Sequence, residues 1–239
     1  ATKAWPQVVA VVKNRRSFGL LALCSALIYV NWQVYVIGVA GGHIVESSLG
    51  YFINPLVTIV LAVIFQKEKL RRLQWVAVSL GTIAVLILTF DYGHVPFLAL
   101  SLAFSFAFYG LVKSRLGGTV SPLTGYSVET ALLVPVAIVQ GIVVANTDGL
   151  AIGQSGTWSW LGLVLFGFFT AIPLILFGSA AKHLPLSMVG FMQYLTPTIQ
   201  FILALTFFHE EMPLVRWFGF GLVWLGLAAL SFDVLRKKR

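Results

Sequence analysis

Long stretches of the chain carry no Asp, Glu, Lys or Arg: residues 17–45, 47–66, 73–90, 92–112 and 183–209. In these stretches apolar residues cover every face of a helix, not one stripe. About 20 residues at about 1.5 Å rise cross a hydrocarbon core of about 30 Å. One such run could be a buried helix, but a series of them could not, because a water-soluble domain needs polar outer faces. The pattern predicts an all-α membrane protein with eight transmembrane helices, at 18–40, 45–65, 73–90, 95–112, 122–145, 158–181, 186–208 and 214–234. The connectors are short. The longest, residues 146–157, is rich in Gly, Ser, Thr and Asp.

Composition agrees, with 59% hydrophobic and 10% charged residues. The net charge of +8 could suggest a nucleic-acid partner, but the basic residues form short clusters between apolar runs, where topology accounts for them. With the N-terminus in the cytoplasm, all of the 16 Lys and Arg residues except Arg216 fall on the inside. Both termini are then cytoplasmic and the number of spans is even. The single cysteine, Cys24, cannot form an intrachain disulfide and gives no information on redox compartment.

The chain also repeats itself. At an offset of 142 residues, Tyr51, Asn54, Pro55, Glu68, Trp75, Phe90 and Asp91 fall on Gln193, Thr196, Pro197, Glu210, Trp217, Phe232 and Asp233. Slightly upstream the offset is 140, and Gly38, His43, Ser47 and Gly50 meet Gly178, His183, Ser187 and Gly190. From the second span to its counterpart, the seventh, is five helices, and an odd shift inverts the second copy in the membrane. Inverted repeats of this kind mark secondary transporters, with the substrate site near the midplane where the copies meet. Residues 92–239 then form a five-helix repeat, and residues 1–91 a repeat of three. Two helices before Ala1 would complete a ten-helix, 5+5 protein, with residues 5–12 as the tail of a cytoplasmic loop.

Candidate chemistry lies on the repeated faces. Tyr51, Asn54, Pro55 and Thr58 share one helical face, as do Gln193, Thr196, Pro197 and Gln200. A proline within a span frees a backbone carbonyl, which draws such faces towards the protein interior or a cavity. Two symmetry-related helices lining a substrate site is one reading; polar glue between packed helices is the other. Asn31, with Tyr35 on its face and Trp32 beside it, offers hydrogen bonding and stacking to a substrate or to a neighbouring helix. Ser101, Ser105 and Tyr109 read as packing, and Gly38 with Gly42 as a close helix approach.

Glu129, some eight residues into its span, is a candidate for proton coupling. The other reading places it at the interface, paired with Lys113 or Arg115. Glu46 is a weaker candidate, since negative charge is favourable near a helix N-terminus in any case. His43 and His183 lack a metal-ligand set. Trp75 and Trp217 read as interfacial anchors. No Walker A sequence, HExxH motif or TVGYG filter occurs, so no cofactor or metal is expected and the chain reads as no enzyme.

The stretches ESSLGYFINPL at 46–56, RRLQW at 71–75 and LALSLAFSFAFYGLV at 98–112, with Glu129-Thr130 and LVPV at 133–136, resemble the RarD proteins. These belong to the EamA group of the drug/metabolite transporter superfamily. The resemblance runs from about Ser17 to Asp233. It implies a ten-helix carrier of the bacterial inner membrane, built from two inverted five-helix repeats. The family's names refer to chloramphenicol, and no substrate follows from them. The expected function is a permease for a small organic metabolite or drug, working by alternating access, with proton coupling as a secondary expectation. A non-transporting membrane scaffold or regulator is the alternative, ahead of an integral-membrane enzyme. The expected partners are a small-molecule substrate and the lipid bilayer, without nucleic acid; a homo-oligomer is compatible with the pattern.

Overall fold

The computed structural model describes residues 5–93, 95–147, 157–206 and 213–237. These residues are helical, with no strand among them: α1 Trp5–Lys13, α2 Arg15–Ala40, α3 Ile44–Gln66, α4 Arg72–Tyr92, α5 Phe97–Leu116, α6 Pro122–Thr147, α7 Thr157–His183, α8 Leu186–Gln193, α9 Leu195–Thr206 and α10 Leu214–Lys237. The expected loop at 148–156 and the expected repeat partner Glu210 lie outside the described residues.

Six stretches among the described residues are long and apolar enough to cross a membrane: Arg15–Ala40, Glu46–Gln66, Arg72–Asp91, Phe97–Leu116, Pro122–Thr147 and Leu161–His183. The chain is a multi-pass α-helical membrane protein. The last two expected spans differ from this set. The span expected at 186–208 is interrupted at Tyr194, which separates α8 from α9. In α10 the apolar stretch is shorter, Trp217–Ala229. Residues 5–12, expected as a loop, form most of α1. The reason is an apolar stripe: Val11 is buried, and Gln7 accepts a hydrogen bond from Thr124 of α6 at 3.2 Å.

Local signals set the helix ends. The Asn14 side-chain oxygen accepts from the backbone N–H groups of Arg16 and Ser17, both at 3.1 Å, which starts α2. Gly93, at φ 82°, ends α4 in the left-handed region. Lys67 ends α3 the same way at φ 56°, a conformation that costs a non-glycine residue strain.

The chain divides into two compact units and crosses between them within α2, within α5 and between α7 and α8. The first holds residues 1–29 and 112–183. Here α1 packs on α6, and α6 on α7. Leu21, Cys24, Val128 and Ala181 are buried, whereas Val139, Ile142, Phe166 and Phe169 are exposed, as lipid-facing positions should be. The second unit holds residues 30–111 and 184–239. Its core combines Phe52, Leu56 and Ile59 of α3 with Ala77 and Ala84 of α4, Phe191 of α8, Tyr194, and Phe220 and Val223 of α10. Phe52 and Phe220 meet edge to face at 4.8 Å.

Helix α8 approaches α3 closely at Gly190. A Cβ there would stand 2.9 Å from Ile59 Cγ1 and 3.1 Å from the Pro55 carbonyl oxygen. Lipid provides no hydrophobic drive between helices, so such small-residue contacts carry the packing. Gly190→Val should therefore lower the thermal unfolding midpoint in detergent by several degrees. Gly141→Ala, where a Cβ meets nothing within 4 Å, should leave it unchanged or gain up to about 1 kcal/mol. Equal midpoints for the two variants would contradict this packing.

Candidate functional site

Within the second unit, the middle of α3 meets the junction of α8 and α9. Thr58 is fully buried and Asn54 nearly so. The Thr58 hydroxyl lies 3.3 Å from Asn54 Oδ1 and 3.4 Å from Gln193 Oε1. Among the described residues, the buried Gln193 amide nitrogen has no hydrogen-bond partner, nor has the buried Tyr194 hydroxyl. Backbone valence adds to this polarity. Pro197 has no N–H to give the Gln193 carbonyl, and Pro55 has none for the Tyr51 carbonyl. Tyr51 packs edge to face on Tyr35 of α2, at 6.2 Å between ring centroids.

The structure thus brings together Asn54, Thr58 and Gln193, with Tyr51 one turn away on the same helix. Thr196 is exposed and does not mirror its partner Asn54, which is buried. The Gln200 side chain lies outside the described residues. Asn31 spends its amide on α5, donating to the Leu102 carbonyl and the Ser105 hydroxyl, both at 2.9 Å. Glu46 is buried at the start of α3 and accepts the Leu98 N–H at 2.8 Å, capping the first turn of α5.

A second polar centre lies in the first unit. Glu129 of α6 and Lys113 of α5 form an ion pair at 2.7 Å, with side chains only 4% and 6% exposed. Of the two partners open to Glu129 in the sequence, Lys113 and Arg115, it pairs with Lys113, and the pair is buried. Cys24 of α2 is buried in the same unit. Ser25 donates to the Leu21 carbonyl at 2.9 Å and the Glu129 carbonyl at 3.3 Å. Among the described residues no group of three or more His, Cys, Asp and Glu could hold a metal ion.

Sequence reasoning missed one carboxylate. Glu68 follows the left-handed Lys67 and reaches the start of α8, accepting the Leu186 N–H at 2.7 Å, the Ser187 N–H at 3.1 Å and the Ser187 hydroxyl. It fastens the end of α3 to the start of α8 by charge-assisted bonds. The 142-residue recurrence of Glu68 at Glu210 was the available signal.

The model of the EamA-like transporter family matches residues 95–232. The chain is 44% identical to Protein RarD of Streptomyces exfoliatus over 239 residues, 100% of this chain and 75% of that one. It is 39% identical to Protein RarD of Escherichia coli (strain K12), over 99% of this chain and 79% of the relative. The chain belongs to the EamA-like transporter family. An uncharacterized transporter of Bacillus subtilis (strain 168), YojE, is 41% identical over 98% of this chain and 77% of its own length. In fold, the chain is similar to a protein of known crystal structure, with a TM-score of 0.59 at 14% identity, covering 94% of this chain and 93% of that one. The family match includes Lys113, Glu129 and Gln193 and lies beyond Asn54 and Thr58.

The ion pair makes a direct prediction. Truncating either partner leaves a buried charge uncompensated, a loss of about 3–5 kcal/mol, whereas replacing both by apolar residues is often neutral. Lys113→Met and Glu129→Leu should each lower the unfolding midpoint strongly, and the double variant should recover most of the loss. Additive losses in the double variant would show that the pair is not coupled.

Proposed function

We propose that the chain is a secondary transporter, a permease that moves a small organic metabolite or drug across the bacterial inner membrane by alternating access. The observation that carries this reading is the buried Gln193 amide without a partner, beside Thr58 and Asn54 at a helix break. A buried donor without an acceptor is costly, and at the one-residue interruption beside it, where Tyr194 keeps φ −64° and ψ −15°, Pro197 denies the Gln193 carbonyl its helical partner. A polar guest at this point satisfies the amide and gives the break a purpose. Asn54, Thr58 and Gln193 contact the substrate in this reading, with Tyr51 beside them and Asn31, Thr196 and Gln200 recruited as the cavity changes shape.

Asn54 and Thr58 come from the proposed first repeat, residues 1–91, and Gln193 from the second, residues 92–239. The proposed topology has eight spans in this chain, counting α8 with α9 as one discontinuous span and α10 as the last, in a 5+5 inverted-repeat architecture with both termini cytoplasmic. The Lys and Arg distribution supports it. Glu129 is the proposed proton carrier, because ionisable groups within spans recur in proton relays. Glu46, engaged as the cap of α5, is the weaker candidate.

Two measurements on the full-length protein test this. A stabilisation screen of small metabolites supplies a transported probe, and its flux is followed in proteoliposomes under an imposed pH gradient. Glu129→Gln should abolish acceleration by the gradient while exchange without a gradient persists; unchanged proton-driven flux would remove Glu129 from the mechanism. A cysteine placed at Asn54 in a Cys24→Ser background should react with a polar thiol reagent, and the probe should slow the reaction. If that cysteine stays unreactive under every transport condition, the cavity is not there.

A further inference from the structure

Between α1 and α2 the chain turns at Asn14, and three of the five residues from Lys13 to Ser17 are basic. Lys13, Arg15 and Arg16 are exposed, and no Asp or Glu occurs between Ala1 and Val45. Topology accounts for cations at the end of a span, but not for the apolar cleft beside them. That cleft, of about 460 Å3, is walled by Trp5, Val8 and Val12 of α1, Phe18 of α2, and Val128 and Leu132 of α6. Its volume falls in the range of about 300–1,000 Å3 usual for ligand clefts. Ser127, on the same wall, donates its hydroxyl to the Leu123 carbonyl at 2.9 Å, which leaves the lining apolar apart from the Trp5 ring nitrogen. Val12 immediately precedes Lys13, and Phe18 follows Arg16 by two residues, so the cations stand at the rim.

The cleft is oriented as a lipid is. A Cβ at Gly125 would stand 3.6 Å from Leu21 Cδ2, and Ser25 donates to the Glu129 carbonyl at 3.3 Å, so α2 and α6 run side by side in one direction. Both begin candidate spans, Arg15–Ala40 and Pro122–Thr147, and so enter the membrane from one face. Val128 and Leu132 lie six and ten residues beyond Pro122, about 9 and 15 Å along the helix. The cations therefore stand at headgroup level, and the cleft leads from them into hydrocarbon. Trp5, 70% exposed, adds a ring of the kind that settles at that level.

We propose that the cleft between α1, α2 and α6 binds an anionic phospholipid, with an acyl chain against Val8, Val12, Phe18 and Leu132 and the phosphate held by Lys13, Arg15 and Arg16. Charge selects the headgroup. A zwitterionic lipid brings an ammonium as well as a phosphate to three clustered cations, whereas phosphatidylglycerol brings negative charge alone. The apolar wall selects a lipid over a soluble anion, which would meet the cations and leave the cleft unfilled. The bound chain also has a structural task. Helix α1 buries only Val11 and holds α6 through the bond between Gln7 and Thr124, so a lipid shared by α1, α2 and α6 adds to what fastens it. The site stands apart from the polar centre at Gln193 and does not rest on the transporter reading.

The probes are phosphatidylglycerol and phosphatidylcholine with the same bromine-labelled chains, added to delipidated full-length protein in a neutral detergent. The readout is tryptophan quenching, and the share of it that Trp5→Phe removes reports the cleft. Phosphatidylglycerol should quench that share at a concentration at least about tenfold lower than phosphatidylcholine. Lys13→Gln, Arg15→Gln and Arg16→Gln should each weaken phosphatidylglycerol about fivefold and leave phosphatidylcholine unchanged. Ala131→Phe or Val8→Phe keeps the cations and fills the cleft, and should abolish the Trp5 share for both lipids. Glycerol 3-phosphate should not compete. Where the charge variants are not recovered, 1 M salt, with a Debye length of about 3 Å, should erase the phosphatidylglycerol advantage in the unmodified protein. Equal quenching by the two lipids, an advantage that survives 1 M salt, or competition by glycerol 3-phosphate would overturn the proposal. So would Trp5 quenching that persists with the cleft filled, the mark of surface charge alone, or its absence in the full-length protein, the mark of a cleft covered by another segment.

Discussion

In a hydrocarbon core a peptide group has no water to turn to, and every backbone N–H and C=O must find its partner within the chain. This is why the described residues are helical, and why the places where helices start, stop or break hold the polar side chains. Glu46 supplies the acceptor that the first turn of α5 lacks, and Glu68 does so for α8. Both carboxylates lie far in sequence from the helix they cap. The same bonds that satisfy the backbone therefore set which helices are neighbours in the second unit. Gly190 then lets α8 settle against the Pro55 carbonyl, a distance that a larger residue would forbid.

Charge obeys the same constraint more severely. Lys113 and Glu129 each bury a side chain that lipid would reject singly, and they are tolerated because they are paired at 2.7 Å. A purely structural role would be served as well by two apolar residues of similar volume.

Much of this architecture is legible in the order of the residues. Charge-free runs locate α2 to α5 because an apolar stretch of that length has few alternatives to spanning a bilayer. Opposite charges on consecutive helices allow Lys113 and Glu129 to be named as a pair, although their inward burial is a tertiary fact that neither residue announces. The amphipathic α1, nine residues long, is too short for its stripe to outweigh a loop reading. The partners of Asn31, on α5, are hidden for the same reason as the burial of the ion pair: side chains 71 and 74 residues apart meet only in the fold. The interruption at Tyr194 is the hardest feature to read. Pro55 and Pro197 occupy matching positions, yet α3 runs through its proline while α8 gives way before the other. A shared local sequence cannot predict unlike outcomes; the neighbours of each helix decide them.

The polar centre at that interruption does not depend on which way the Gln193 carboxamide points. With its oxygen towards Thr58, the amide nitrogen is the buried group without a partner. Rotated by half a turn, the nitrogen would donate to the Thr58 oxygen, and the carbonyl oxygen would take the position without a partner. Thr58 cannot resolve the shortage, since one hydroxyl proton serves either the Asn54 or the Gln193 oxygen but not both. The Tyr194 hydroxyl, buried near Gly81 of α4, is a separate group in the same condition. In either orientation the chain alone leaves polar valence unmet where, among the described residues, an expected span is broken. In the transporter proposed above, a polar guest would complete that valence.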